Sequence, residues 1–169
     1  PGYKDYSVAF GCEPVPSLFV DGSKGDDALD GLTPQTALKT LQTAIDLAEP
    51  HTEIHISGFF DGSVSIKKES LTIIGQGSDK TYITATQGQV GVSVQKGDVY
   101  LKHLSVVGGV QGVTFAPAYK QPPFYHGGLE DVQISGQQGQ DGCAMCPLQE
   151  TTGLLVSKVG MVTFRDVHI

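Results

Sequence analysis

From residue 53 onward, apolar and polar residues alternate in short runs. Glu53–Ser57 alternates strictly, and Val64-Ser65-Ile66 and Leu71-Thr72-Ile73-Ile74 follow, each flanked by Gly or Ser. Strict alternation over so few residues predicts short, half-buried strands. The chain before residue 53 reads differently. Residues 1–17, with Pro14 and Pro16, predict an irregular segment. Ser17-Leu18-Phe19-Val20 predicts a short strand, and residues 21–31 a Gly/Asp loop. Thr33-Pro34 is a helix-start signal, a capping hydroxyl followed by Pro at the first helical position. Ala37, Leu41, Ala44, Ile45 and Ala48 then recur on one helical face, and Glu49-Pro50 ends the predicted helix.

The strand region resembles itself. Ser93-Val94-Gln95-Lys96-Gly97-Asp98-Val99 falls 28 residues after Ser65-Ile66-Lys67-Lys68-Glu69-Ser70-Leu71, and residues 154–162 echo it again. A second echo runs through His103-Leu104-Ser105-Val106, Asp131-Val132-Gln133-Ile134 and Asp166-Val167-His168-Ile169, in steps of 28 and 35. Repeats of this length built from short strands predict a solenoid or a propeller. Propeller blades need antiparallel hairpins, and few hairpin dipeptides occur here. A stacked β-helix is therefore expected, with Val94, Leu104 and Val106 in inward columns. Residues 116–126 and 137–152 read as insertions that loop out of the stack. The single helix is expected to cover the open end of the first coil. Residues 162–169 alternate with a slip at Arg165-Asp166, which suits a strand, a corner and a second strand. With no capping element after Ile169, the stack is expected to continue beyond residue 169 or to be covered there by another chain.

Charge narrows the partners. The formal charge is −7, with 11 basic residues of which Arg165 is the one arginine. Nucleic-acid binders concentrate positive charge, so this balance argues against a nucleic-acid partner and favours a neutral or cation-bridged ligand. No apolar run approaches the ~20 residues that span a bilayer, so no transmembrane segment is expected. The 22 glycines suit tight turns, and with no Asn there is no N-glycosylation sequon. Nothing in the pattern sets an oligomeric state. The cysteines Cys12, Cys143 and Cys146 are odd in number, leaving one free, intermolecular or paired elsewhere. Cys143 and Cys146 have CxxC spacing but lie among Gly and Gln before Pro147. A structural disulfide or inert thiols fit that setting better than redox chemistry.

The opening segment carries a resemblance. Leu18-Phe19-Val20-Asp21-Gly22-Ser23, Asp26-Asp27, Asp30-Gly31, Thr33-Pro34 and residues 38–45 resemble the start of extracellular right-handed parallel β-helix proteins, the pectate-lyase-like family. Leu71-Thr72-Ile73-Ile74-Gly75-Gln76-Gly77, with Asp79-Lys80-Thr81 and Ile83, resembles their first coil. The resemblance implies an all-β fold: a right-handed parallel β-helix (solenoid) with one N-terminal capping α-helix, residues 18–169 supplying the cap and first coils. It implies a secreted or cell-surface protein that binds or processes polysaccharide or a cell-surface glycan. The alternative is a non-catalytic structural or adhesive surface module, because one solenoid hosts many activities.

Catalytic signatures are not legible. Lyases of this fold use calcium and an Arg or Lys base, and Arg165 sits beside Asp166, where an ion pair is the simpler reading. Glycoside hydrolases need two spaced carboxylates. The polygalacturonase Asn-x-Asp element is absent, and His126-Gly127-Gly128 matches that branch only superficially. A lyase or glycosidase site would lie outside the legible motifs. Asp21, Asp26, Asp27 and Asp30 crowd one loop that could bind calcium, although polar turns stabilised by their own side chains are the simpler reading. His51-Thr52-Glu53-Ile54-His55 alternates polar residues but lacks a helical metal motif. Tyr119, Lys120, Phe124, Tyr125 and His126 sit in the Pro-rich insertion. Their rings either stack on sugar faces or fold back over the insertion's base.

Overall fold

The computed structural model describes residues 14–115, 126–136, 152–156 and 161–169. Its strands fall into three columns that the chain visits in turn. The first holds β1 (Ser17–Asp21), β2 (Glu53–Ser57), β5 (Leu71–Ile74) and the leading halves of three long strands. These are β8 (Val99–Gly108), β10 (His126–Ser135) and β12 (Met161–His168). The second holds β3 (Phe59–Asp61), β6 (Tyr82–Ala85) and the trailing halves of the long strands. The third holds β4 (Val64–Ile66), β7 (Val90–Val94), β9 (Gln111–Phe115) and β11 (Thr152–Val156). Strand pairs among the described residues are parallel, and the repeats set their register. Ser65 lies beside Ser93, and Leu104, Val132 and Val167 lie in line. The steps of 28 and 35 residues are thus successive turns of chain.

Inward positions stack on inward positions. Leu18, Ile54, Ile73, Leu101 and Leu129 form one column, and Phe60, Ile83, Val106 and Ile134 another. All of these are buried and belong to one hydrophobic cluster. At the far end the first column finishes on Phe164, 48% exposed, with Ile169 75% exposed beyond it. No helix among the described residues is long and apolar enough to cross a membrane.

Each long strand turns a corner through one left-handed residue. His103, Asp131 and Asp166 have φ of 54°, 50° and 51° and occupy equivalent positions. The extra residue shifts the inward phase, so that Leu101 and Leu104, or Leu129 and Val132, both face the core. This is the slip expected at Arg165-Asp166. Left-handed backbone costs roughly 1–2 kcal/mol per non-glycine residue, and short polar side chains such as Asp and His tolerate it best. A second such ladder, His51, Ser70 and Asp98, precedes the first column.

The helix is shorter than its apolar pattern predicts. Thr33 caps a single 3-10 turn, Pro34–Thr36, and the α-helix α1 spans Leu41–Leu47 with Thr40 as its own cap. The break has a cause in tertiary contacts. Leu38 forms a bridge with Val20, and the N–H groups of Lys39 and Thr40 both donate to Asp27. Ala37, Leu41, Ala44, Ile45 and Ala48 are all buried nonetheless. α1 packs against β1, β2 and β4, at the start of the stack. Replacing Leu41 or Ile45 by Ala is expected to lower the unfolding free energy by about 2–5 kcal/mol in urea titrations. A change within about 0.5 kcal/mol would remove the capping role from α1.

Candidate functional site

The four loop aspartates act on the backbone around them. Asp21 Oδ1 accepts the N–H groups of Ser23 and Lys24 at 2.9 and 3.0 Å. Asp26 Oδ1 accepts from Ala28, and Asp30 Oδ1 from Leu32, both at 3.0 Å. Asp27 Oδ1 reaches across the loop to the N–H groups of Lys39 and Thr40, both at 2.9 Å. Burial pushes the Asp27 carboxyl up, but hydrogen bonds from Thr40 and Lys39 outweigh it and hold it below the usual carboxylate value. The Thr36 hydroxyl and the Leu32 N–H likewise lower Asp30. Among the described residues no three His, Cys, Asp or Glu side chains gather as a metal-ligand set. Tyr119, Lys120, Phe124, Tyr125, Cys143 and Cys146 lie outside the described residues. His126 is not part of an insertion. It is the first residue of β10, with Nδ1 3.8 Å from Asp98 Oδ1 on the preceding turn.

What the fold does assemble is a row along the outer face of the first column. Phe19, His55, Ile74, Lys102, Glu130 and Arg165 are register partners on successive strands. With ~4.8 Å between strands, the row runs for roughly 24 Å. At its beginning the rings of Phe19 and His55 stack with centroids 5.2 Å apart. Here a groove of ≈ 370 Å³ is lined by Phe19, Asp21, His55, Ser57, Ile74 and Gln76, among others. At its end Lys102 Nζ lies 3.1 Å from Glu130 Oε2, and Arg165 Nη1 3.6 Å from Glu130 Oε1. Arg165 therefore pairs with the preceding turn rather than with its neighbour Asp166. The Lys102 hydrogen bond and charge hold the Glu130 carboxyl below its usual value, with Arg165 and His103 adding to the effect. A second groove, also ≈ 370 Å³, is lined there by Tyr100, Lys102, Gly128, Glu130, Phe164 and Arg165.

Beside the charged end sits the corner. His103 Nδ1 is 3.0 Å from Asp131 Oδ2. A carboxylate only accepts, so Nδ1 carries the proton and Nε2 is left for other contacts. The Ser78 hydroxyl donates to Asp131 Oδ1 at 3.2 Å, and the Ser105 hydroxyl donates to the Ser78 carbonyl. A histidine oriented by a carboxylate, beside the row that carries Lys102 and Arg165, can hydrogen-bond hydroxyl or carboxyl groups.

No family model and no curated protein matches the chain. Among solved structures, pectin methylesterase PemA from Erwinia chrysanthemi is similar, with a TM-score of 0.61 at 16% sequence identity. The match covers 89% of this chain and 48% of that one, so the chain spans about half the length of the enzyme it resembles. At this identity the likeness speaks for the fold. The chain shares the parallel β-helix architecture, and its all-β reading, with one α-helix among the described residues, holds.

The row of Lys102, Glu130 and Arg165 and the His103–Asp131 pair were not singled out from sequence, apart from Arg165. The signal was present in the 28- and 35-residue steps, which place these residues in line. Asp27 and Asp30 have depressed folded values, so they stabilise the protein above the unfolded carboxylate pKa of ~3.9 and lose that effect as pH falls through the folded value. Asp27→Ala is expected to lower the Tm at neutral pH, with the gap to wild type shrinking as pH drops below ~4. Calcium or chelator is expected to leave the Tm unchanged, and a rise with calcium would assign the loop to that ion.

Proposed function

We propose that residues 18–169 form the cap and first coils of a right-handed solenoid in a secreted or cell-surface protein that binds or processes polysaccharide. The observation that carries this reading is the outer row from Phe19 to Arg165. It presents one side chain per turn in a straight line, with aromatic groups at one end and paired charges at the other. A row that repeats once per turn fits a ligand that also repeats along its length. Sugar polymers combine apolar ring faces with dense hydroxyl or carboxyl groups, which matches stacking rings followed by Lys102, Glu130 and Arg165. The resemblance of the fold to a pectin methylesterase supports a polysaccharide ligand and makes pectin the first probe. Here His103 Nε2 would contact the ligand, with Asp131 as its positioning residue.

A second reading is a non-catalytic structural or adhesive module. Its support is the pairing of side chains between turns, Lys102 and Arg165 with Glu130 by charge and His103 with Asp131 by a hydrogen bond. Pairs of this kind also occur as simple inter-strand contacts.

The two readings separate in a glycan-array screen followed by reducing-end and unsaturated-product assays on pectin. The polysaccharide reading expects retention on pectin, and about ten-fold weaker binding in the Lys102→Ala/Arg165→Ala double variant. Binding should also weaken with added salt. Absence of any retained glycan, together with a lower Tm in the same variant, selects the structural module.

A further inference from the structure

We infer a second glycan subsite on the outer face of β3 and β6, where Phe59 stacks against one ring of a neutral pyranose. This rests on the polysaccharide reading but uses a different column of the fold. Phe59 is 64% exposed. Its ring nevertheless has a fixed plane, because it lies parallel to the Tyr82 ring, with centroids 5.3 Å apart and planes within 6°. The two residues are register partners on adjacent parallel strands, so the backbone itself holds the stack. Tyr82 stacks on one face of the Phe59 ring, and with 64% of the residue exposed a large apolar surface is left to solvent. The C–H face of a pyranose fits such a surface, because its weakly positive hydrogens meet the negative face of the aromatic ring.

The polar groups needed for orientation lie on the same side. Asp61 and Thr84, two positions further along each strand, share the outward face with Phe59 and Tyr82. Both are exposed. Among the described residues, neither side chain has a hydrogen-bond or ion-pair partner. Two residues of strand span ~6.6 Å, which puts the Asp61 carboxylate within reach of the hydroxyls of a ring centred on Phe59. Space continues past Asp61, since a side chain added at Gly62 would meet nothing within 4 Å. An unpaired carboxylate accepts from hydroxyls and repels carboxylates, so this subsite selects a neutral sugar over a uronate. The charge of −7 acts in the same direction.

The alternative is that Phe59 and Tyr82 merely stack the first two turns. Titration calorimetry of the full chain with cellohexaose, a neutral β-linked hexamer, distinguishes the two. Phe59→Ala is expected to weaken binding about ten-fold and Phe59→Tyr to preserve it. Asp61→Asn is expected to weaken it by roughly three- to ten-fold. Saturation transfer should connect Phe59 ring protons to sugar C–H protons. Far-UV circular dichroism checks that each variant is folded. Unchanged cellohexaose binding in Phe59→Ala overturns the inference. So does failure of the wild type to bind cellohexaose while pectin is still held through Lys102 and Arg165, an outcome that leaves the first row standing. Cellohexaose held through Phe59 with pectin unbound supports this subsite and removes the row.

Discussion

Every described strand of this protein reaches its partner only after a full turn of chain, so a single vertical register governs the described stack. Parallel strands cannot be joined by tight hairpins. The register must therefore be fixed by what stacks inside. The column Leu18, Ile54, Ile73, Leu101 and Leu129 does this, each side chain fully or nearly fully buried on the one before it. Burying an aliphatic side chain contributes about 1.5–3 kcal/mol, and a slip of one residue would turn the whole column outward. The corners reinforce the same register. His103, Asp131 and Asp166 each carry the left-handed conformation at the same height in their turn, so a slipped strand would force that conformation onto a residue such as Leu104 or Val132.

The register also dictates what the outside can be. Side chains in one outer row sit directly beside one another, where like charges destabilise and opposite charges attract. Lys102, Glu130 and Arg165 alternate in sign accordingly, and His103 faces Asp131. Such partly exposed pairs contribute only about 0–1 kcal/mol each. Stability thus constrains the inner columns tightly and the outer rows loosely. The loop at residues 75–81 ties the two levels together. Its Gly75 and Gly77 N–H groups donate to the carbonyls of Lys102 and His103, and its Ser78 holds Asp131.

That asymmetry explains what was legible beforehand. Strands β2, β4 and β5 are plain in the alternation of Glu53–Ser57, Val64–Ile66 and Leu71–Ile74, because burial imposes a period of two. The 28- and 35-residue steps disclose the turns for the same reason. β9 went unrecognised, although Gly112-Val113-Thr114-Phe115 repeats Gly91-Val92-Ser93-Val94 after 21 residues. The short spacing hid it. The helix was overestimated because its apolar face continues through Ala37 and Leu38, which are buried as extended chain instead. Outer-row chemistry was mostly illegible. Lys102 and Glu130 are ordinary surface residues until the register places them side by side, and Asp61 stands out only when the described residues around it are known to leave it unpaired.

The two outer rows lie on adjacent columns separated by the corner at His103 and Asp131, with the 75–81 loop packed over it. Ser105 faces outward beside Tyr82 in the register, yet it is buried, because that loop covers it. The 75–81 loop thus lies between the aromatic pair and the charged row. Under the proposed reading the two would still engage one polymer. A polysaccharide held along the first column would raise the effective concentration of its neighbouring segments at the second, and two weak sites would then act as one stronger one. Such an arrangement needs no enclosed pocket. It needs only a rigid axis that keeps the sites at a fixed spacing, which the stacked inner columns provide.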